Sequence, residues 1–148
     1  MRPVLIFDLD GTLVDSKKDL TASVNYIRTQ FDLPFLTEEE IAEIRQHPRR
    51  GYDALAKQGG FPPEMLDVVL HHHEFLDGTG YPNKLSSNQI SDIVRLTTIV
   101  DIYAALVEKR AYRVPFTHSR AFTMLEGMGG KLDQQLVQAF RPVALGSF

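Results

Sequence analysis

Cysteine is absent from this chain of 148 residues. Disulfides, thiolate zinc sites and a cysteine nucleophile are therefore excluded together, and any bound metal must take His, Asp, Glu or water as ligands. A run of about 18 apolar residues, the minimum for a bilayer span, is also missing, and Met1 to Phe7 is too short for a signal-peptide core. Neither a membrane nor export is expected, which leaves the cytoplasm as the expected location. The net charge is only −3 and the Lys and Arg residues are scattered, an arrangement unsuited to a nucleic acid polymer but open to a small phosphate-containing ligand. Histidine is missing too from the first 46 residues, and all five lie at or after His47. What is present, 43% hydrophobic and 24% charged residues, suffices for one compact domain with its own core, with or without a short appendage.

The pattern along the chain is mostly helical. Pro3 to Leu9 reads as one buried strand ended by the turn signal Asp10-Gly11. Asp15 or Ser16 then caps a helix with Leu20, Val24, Ile27 and Phe31 at helical spacing, stopped by Pro34. Thr37 and Glu40 form a capping box, and Leu36 with Ile41 a hydrophobic staple, so a helix is expected from there to about His47-Pro48. A short helix carrying Tyr52 and Leu55 should stop at Gly59-Gly60, and Pro62-Pro63 should open one reaching about Glu74. After a loop from Asp77 to Leu85, the spacing of Ile93, Leu96, Val100, Tyr103 and Val107 predicts the longest helix, from Gln89 to about Lys109. Two more follow from about Thr117 and Leu132. The expected fold is thus mainly α, fronted by a strand, loop and helix. An unpaired strand offers its edge to a second copy, so a homodimer joined at Val4 to Leu9 is expected.

At the end of that first strand stand Asp8 and Asp10, two carboxylates two residues apart in Phe7-Asp8-Leu9-Asp10-Gly11-Thr12-Leu13-Val14-Asp15-Ser16. Such a pair can hold a hard cation, with one carboxylate attacking phosphorus and the other handling a proton; it can equally be a simple turn. The string resembles the first motif of the haloacid dehalogenase family of phosphatases, over residues 1 to 35. That resemblance implies Asp8 as nucleophile, Asp10 as general acid/base and magnesium as cofactor. The family's doubly wound sheet needs further strands and a later acidic pair, which this sequence does not show.

The histidines separate by helix geometry. His72 and His73 follow Val68 and Val69 by four and border the apolar face, whereas His71 follows Asp67 by four on the polar face. His47 follows Ile44 by three, and Asp101 sits on an otherwise apolar stripe where an unpaired carboxylate is costly. Imidazoles with one carboxylate suit Fe, Mn or similar divalent transition ions better than magnesium. Adjacent imidazoles on one helix can serve two neighbouring ions, an arrangement that activates water against a phosphodiester.

The residues His47-Pro48 with Gly51, His72-His73-Glu74, Asp77-Gly78, Gly80-Tyr81-Pro82 and Asp101 with Arg110 resemble the C-terminal half of an HD-GYP domain. Members of that family are helical, metal-dependent phosphohydrolases acting on cyclic di-GMP. The resemblance runs from about Leu36 to Phe140 and implies two units, a segment 1–35 and a helical domain 36–148. It implies metal ligation by His47, His72, His73 and Asp101. It also implies substrate contacts from Gly80, Tyr81 and Pro82 and phosphate contacts from Arg110 and Arg113, as guanidinium chemistry suits. The family's His-Asp pair and nearby Lys should precede His47, but no histidine does, so the implied metal site is incomplete. Three functions follow as expectations: an HD-GYP-type phosphodiesterase, an inactive metal- or nucleotide-binding module, and a phosphomonoesterase using Asp8.

Overall fold

A computed structural model describes residues 37–109 and 115–146. The expected first strand and helix, Asp8, Asp10, the Val4 to Leu9 dimer edge, the Leu36 staple and both Arg110 and Arg113 lie outside the described residues. Within them the protein is helical throughout, with no named strand and one isolated bridge between Asp77 and Ser86.

Thr37 caps α1 (Glu38–Ile44) through the expected box: its hydroxyl accepts from the Glu40 amide at 3.2 Å, and its own amide donates to the Glu40 carboxylate at 2.7 Å. The chain turns at Arg45 and Gln46 and restarts as α2 (His47–Gln58). His47-Pro48 therefore opens a helix rather than closing one. Proline has no N–H to lose in a first turn, where the amides lack intrahelical partners anyway. Helix α2 stops at Gly59, whose φ of 73° is left-handed.

Pro62 and Pro63 open α3 (Pro63–His71), which packs along α2. A Cβ on Gly51 would stand 3.1 Å from Val69 Cγ1, so glycine there lets the two helices approach closely. Helix α3 ends three residues before the expected Glu74, leaving His72 as its C-cap and His73 beyond it.

After a loop and a 3-10 turn at Ser87–Gln89 comes α4 (Asp92–Val107). Thr117 and Asp133 then cap α5 (His118–Gly127) and α6 (Gln134–Leu145), each side chain accepting amide hydrogens of the first turn. These three helices enclose the main core of Ile99, Ile102, Leu106, Ala121, Phe122, Leu125, Leu132, Val137 and Ala144, with Phe75 from the loop. Arg95 braces the bundle, donating to the Ile90 carbonyl at 2.9 Å and to Asp133 at 3.0 Å.

The apolar spacing that predicts α4 does not by itself mark its buried face. Ile93, Leu96 and Val100 are 49%, 37% and 40% exposed, while Val94, Ile99, Ile102 and Leu106 are buried. The helix is apolar on both sides, so a 3.6-residue period can be traced on either, and packing selects the other one. No described helix is long and apolar enough to cross a membrane.

Candidate metal centre

The C-terminal ends of α1 and α3 aim two of the imidazoles. The last carbonyls of a helix have no amide partner within it. His47, just past α1, places its Nδ1 2.9 Å from the carbonyl of Ile44. His72, capping α3, places its Nδ1 2.9 Å from the Val69 carbonyl and 3.2 Å from that of Val68. Each ring thereby donates from Nδ1, which leaves Nε2 as the lone-pair nitrogen.

Those Nε2 atoms face one another. His47 Nε2 lies 3.4 Å from His72 Nε2 and 3.0 Å from His73 Nε2. Two lone pairs so opposed repel, and a shared cation is the natural partner for them. One donor atom from each of His47, His72 and His73 lies within 4.8 Å of the others, so the residues present fit a divalent transition ion by donor chemistry and by convergence. Burial keeps the His72 and His73 rings neutral, the form that binds metal. His73, only 4% exposed, has its pKa pushed down to about 2, chiefly by burial and then by its neighbours His72, His47 and Arg45. His72 is also lowered, mainly by burial, against the opposing field of Asp101.

Asp101 stands half-buried on α4 beside this triad but outside it, near enough for its charge to act on His72. Thr98, one turn earlier, sets α4 against the site: its hydroxyl lies 2.9 Å from the His72 carbonyl oxygen. His71 stays apart, with Nδ1 2.7 Å from Asp67 and Nε2 2.9 Å from the Asn83 side-chain Nδ2.

The loop after His73 folds back over the cluster. Asp77 accepts from the Thr79 amide at 3.0 Å and its hydroxyl at 2.6 Å, and Gly78 takes a φ of 77°. The Tyr81 amide donates to the His73 carbonyl at 3.1 Å. The Tyr81 ring stacks on the His73 imidazole, centroids 4.7 Å apart at 22°, and the Arg45 guanidinium lies 5.2 Å from the Tyr81 centroid. Gly80 is buried and passes so close to residues 73–75 that no side chain fits. The Tyr81-Pro82 peptide is cis.

Sequence reasoning passes over two groups that the geometry puts here. Arg45 reads as an ordinary helix-end cation, and only its position two residues before His47 hints at more. Glu74 belongs to the quoted motif without a role, yet it is 2% exposed and accepts from the Asn83 amide at 2.6 Å and the Leu85 amide at 2.9 Å.

A family model described as the HD domain matches residues 32–136. The chain belongs to the HD-domain family. Among its relatives are a cyclic di-GMP phosphodiesterase of Pseudomonas aeruginosa, 35% identical over 105 residues, and one of Vibrio cholerae, 37% identical over 115 residues. The aligned stretches cover 71% and 73% of this chain but 25% and 23% of those proteins. A 3'3'-cGAMP-specific phosphodiesterase of Vibrio cholerae is 42% identical over 91 residues, 62% of this chain and 20% of its own length. The chain thus spans about a quarter of the length of the curated relatives it matches. The HD match begins at residue 32, so it lends no support to the haloacid dehalogenase reading of residues 1–35.

Proposed function

We propose that this chain carries the metal-binding half of an HD-GYP-type phosphohydrolase whose substrate is a cyclic dinucleotide. The observation that carries the reading is the clustering of one donor atom each from His47, His72 and His73 within 4.8 Å of one another. Asp101 is the fourth ligand in this reading, placed by α4 beside His72. A divalent transition ion held there, iron or manganese in the first instance, supplies Lewis-acid polarisation of a phosphodiester. The protein's own contribution is to hold the His72 and His73 imidazoles neutral, to keep the cluster together, and to wall the site with Gly80, Tyr81 and Pro82. Arg110 and Arg113 are proposed to meet the substrate's phosphates. Relatives named for cyclic di-GMP and for 3'3'-cGAMP support the substrate class and leave open which cyclic dinucleotide is turned over.

A second reading has its own support. The clustered donors are three imidazoles with no carboxylate among them, and no histidine precedes His47 to supply the rest of the implied site. On that reading the chain holds metal or nucleotide without turnover. Residues 1–35 and 36–148 remain two proposed units, and a homodimer remains a proposal for scattering to test.

The test compares the full chain with His72→Ala after chelation and reloading with manganese or iron. Metal content and cyclic di-GMP hydrolysis are both measured. Stoichiometric metal and product formation in the parent chain, with affinity lowered about 10-fold or more in the variant, are expected. Metal without product selects the binding module. A folded chain that takes up no transition ion overturns the phosphohydrolase reading and the metal-holding form of the second; absence of cyclic di-GMP binding as well overturns both.

A further inference from the structure

Glu74 is the most buried charged residue among those described as buried, at 2% exposed, and it directly follows the most buried of the three imidazoles. A carboxylate in that position is costly unless its oxygens are bonded, and an apolar side chain of similar volume would fill the space without that cost. Its two oxygens are spent on two backbone amides: Asn83 at 2.6 Å on Oε1 and Leu85 at 2.9 Å on Oε2. It is not among the clustered metal donors. Between the two bonded amides stands Lys84 with a φ of 55°, a left-handed conformation that a lysine adopts unwillingly and that something must hold.

We infer that Glu74 is a positioning residue for the metal centre: by gripping the amides of Asn83 and Leu85 it keeps the 77–86 loop closed, so that Tyr81 lies flat against His73 and fixes the direction of its Nε2. The chain of contacts is continuous. Glu74 holds residues 83 and 85; the same loop returns the Tyr81 amide to the His73 carbonyl at 3.1 Å; and the Tyr81 ring stacks on the imidazole at 4.7 Å. Asn83 is also met from the far side by His71, which Asp67 orients, so the loop is pinned at both edges. Partners of this kind orient metal ligands, and their loss typically lowers affinity about 10- to 100-fold. The inference rests on the metal reading of His47, His72 and His73.

Glu74→Gln is the direct probe, because a glutamine can accept from one amide but must turn an NH2 group toward the other. The full chain, Glu74→Gln, Tyr81→Phe, Tyr81→Ala and His73→Ala are titrated with cobalt(II), following the visible d–d band, and backbone amide exchange is measured without metal. Expected are faster exchange at Asn83 and Leu85 in Glu74→Gln with the α4 amides unchanged, and a cobalt affinity about 10-fold weaker with an altered band. Tyr81→Phe keeps the parent affinity because it keeps the ring, and Tyr81→Ala loses as much as Glu74→Gln. Parent-like affinity and band in Glu74→Gln, while His73→Ala still loses binding, overturn the positioning role and leave the metal reading standing. If Glu74→Gln fails to fold, the tyrosine pair decides: equal affinity of Tyr81→Phe and Tyr81→Ala overturns it. If the folded parent takes up no cobalt, the metal reading falls. The His73 ring resonances then decide the loop's role, a shift in Glu74→Gln supporting it and unchanged resonances overturning it.

Discussion

Gly80→Ala adds a single methyl group at the most crowded backbone crossing of the site. A Cβ there would stand 2.4 Å from Phe75 N, 2.5 Å from Glu74 Cα and 2.5 Å from the His73 carbonyl oxygen. All three are backbone atoms just past the end of α3, so no side chain can rotate away, and ordinary carbon contacts need about 3.5 Å or more. The two backbones must therefore part by about 1 Å. Overpacking of this kind costs about 1–3 kcal/mol, and the rigidity of both partners puts this case at the upper end. For a domain of this size that lowers the midpoint of thermal unfolding by roughly 10 °C. The separation also pulls the Tyr81 amide from the His73 carbonyl, so metal affinity falls with stability. Thermal unfolding followed by circular dichroism, with and without cobalt, reads both effects. Gly78→Ala is the comparison, since a Cβ there meets nothing nearer than 3.8 Å and only the φ of 77° opposes it. A Gly80→Ala chain as stable as Gly78→Ala would refute the argument that this crossing admits glycine alone.

Acid should destabilise the metal-free protein in a particular window. His73 is held far below the ordinary imidazole value of 6.5, and His72 is lowered in the same direction, so the unfolded chain binds more protons than the folded one below that value. The stability is fully present above about pH 6.5 and is lost as pH falls, at about 1.4 kcal/mol per pH unit for each proton taken up on unfolding. Urea titrations of chelated protein between about pH 7.5 and 5 should show this slope, reduced in His73→Gln; a flat profile would count against the burial of neutral rings. Leu125→Ala removes a fully buried side chain from the α4–α6 core and should cost about 2–5 kcal/mol in urea unfolding. Its cobalt affinity below the transition should match the parent, because no metal-cluster residue lies in that core; a parallel loss would mean the two regions are coupled.

Local signals in the sequence translate well where one interaction decides the outcome. The Thr37 and Glu40 box, the Gly59 stop, the Pro62-Pro63 opening and the starts near Thr117 and Leu132 all correspond to observed boundaries. His47-Pro48 misleads because a proline inside the first turn and a proline past the last turn look alike in sequence. Helix α4 is found where its spacing predicts it, but an element apolar on both sides has no unique inward face until its neighbours are known. The histidine motif points to His47, His72 and His73; His73 is buried and His72 half-buried, although α3 ends before His72. What aims the His47 and His72 rings is the carbonyls at two helix ends, a feature of backbone geometry that composition and spacing do not encode. Arg45 and Glu74 escape for the same reason, each acting through a loop whose path is set by tertiary contacts.

The outward row of Ile93, Leu96 and Val100 determines how the protein behaves in the hands of whoever purifies it. Sulfate and phosphate strengthen the association of oily surfaces, so the chain should come out of solution early in an ammonium sulfate cut and cling to a phenyl column. A lysine or glutamate at Leu96 interrupts the row at its centre without touching an imidazole, and is the first change to make for concentrated samples.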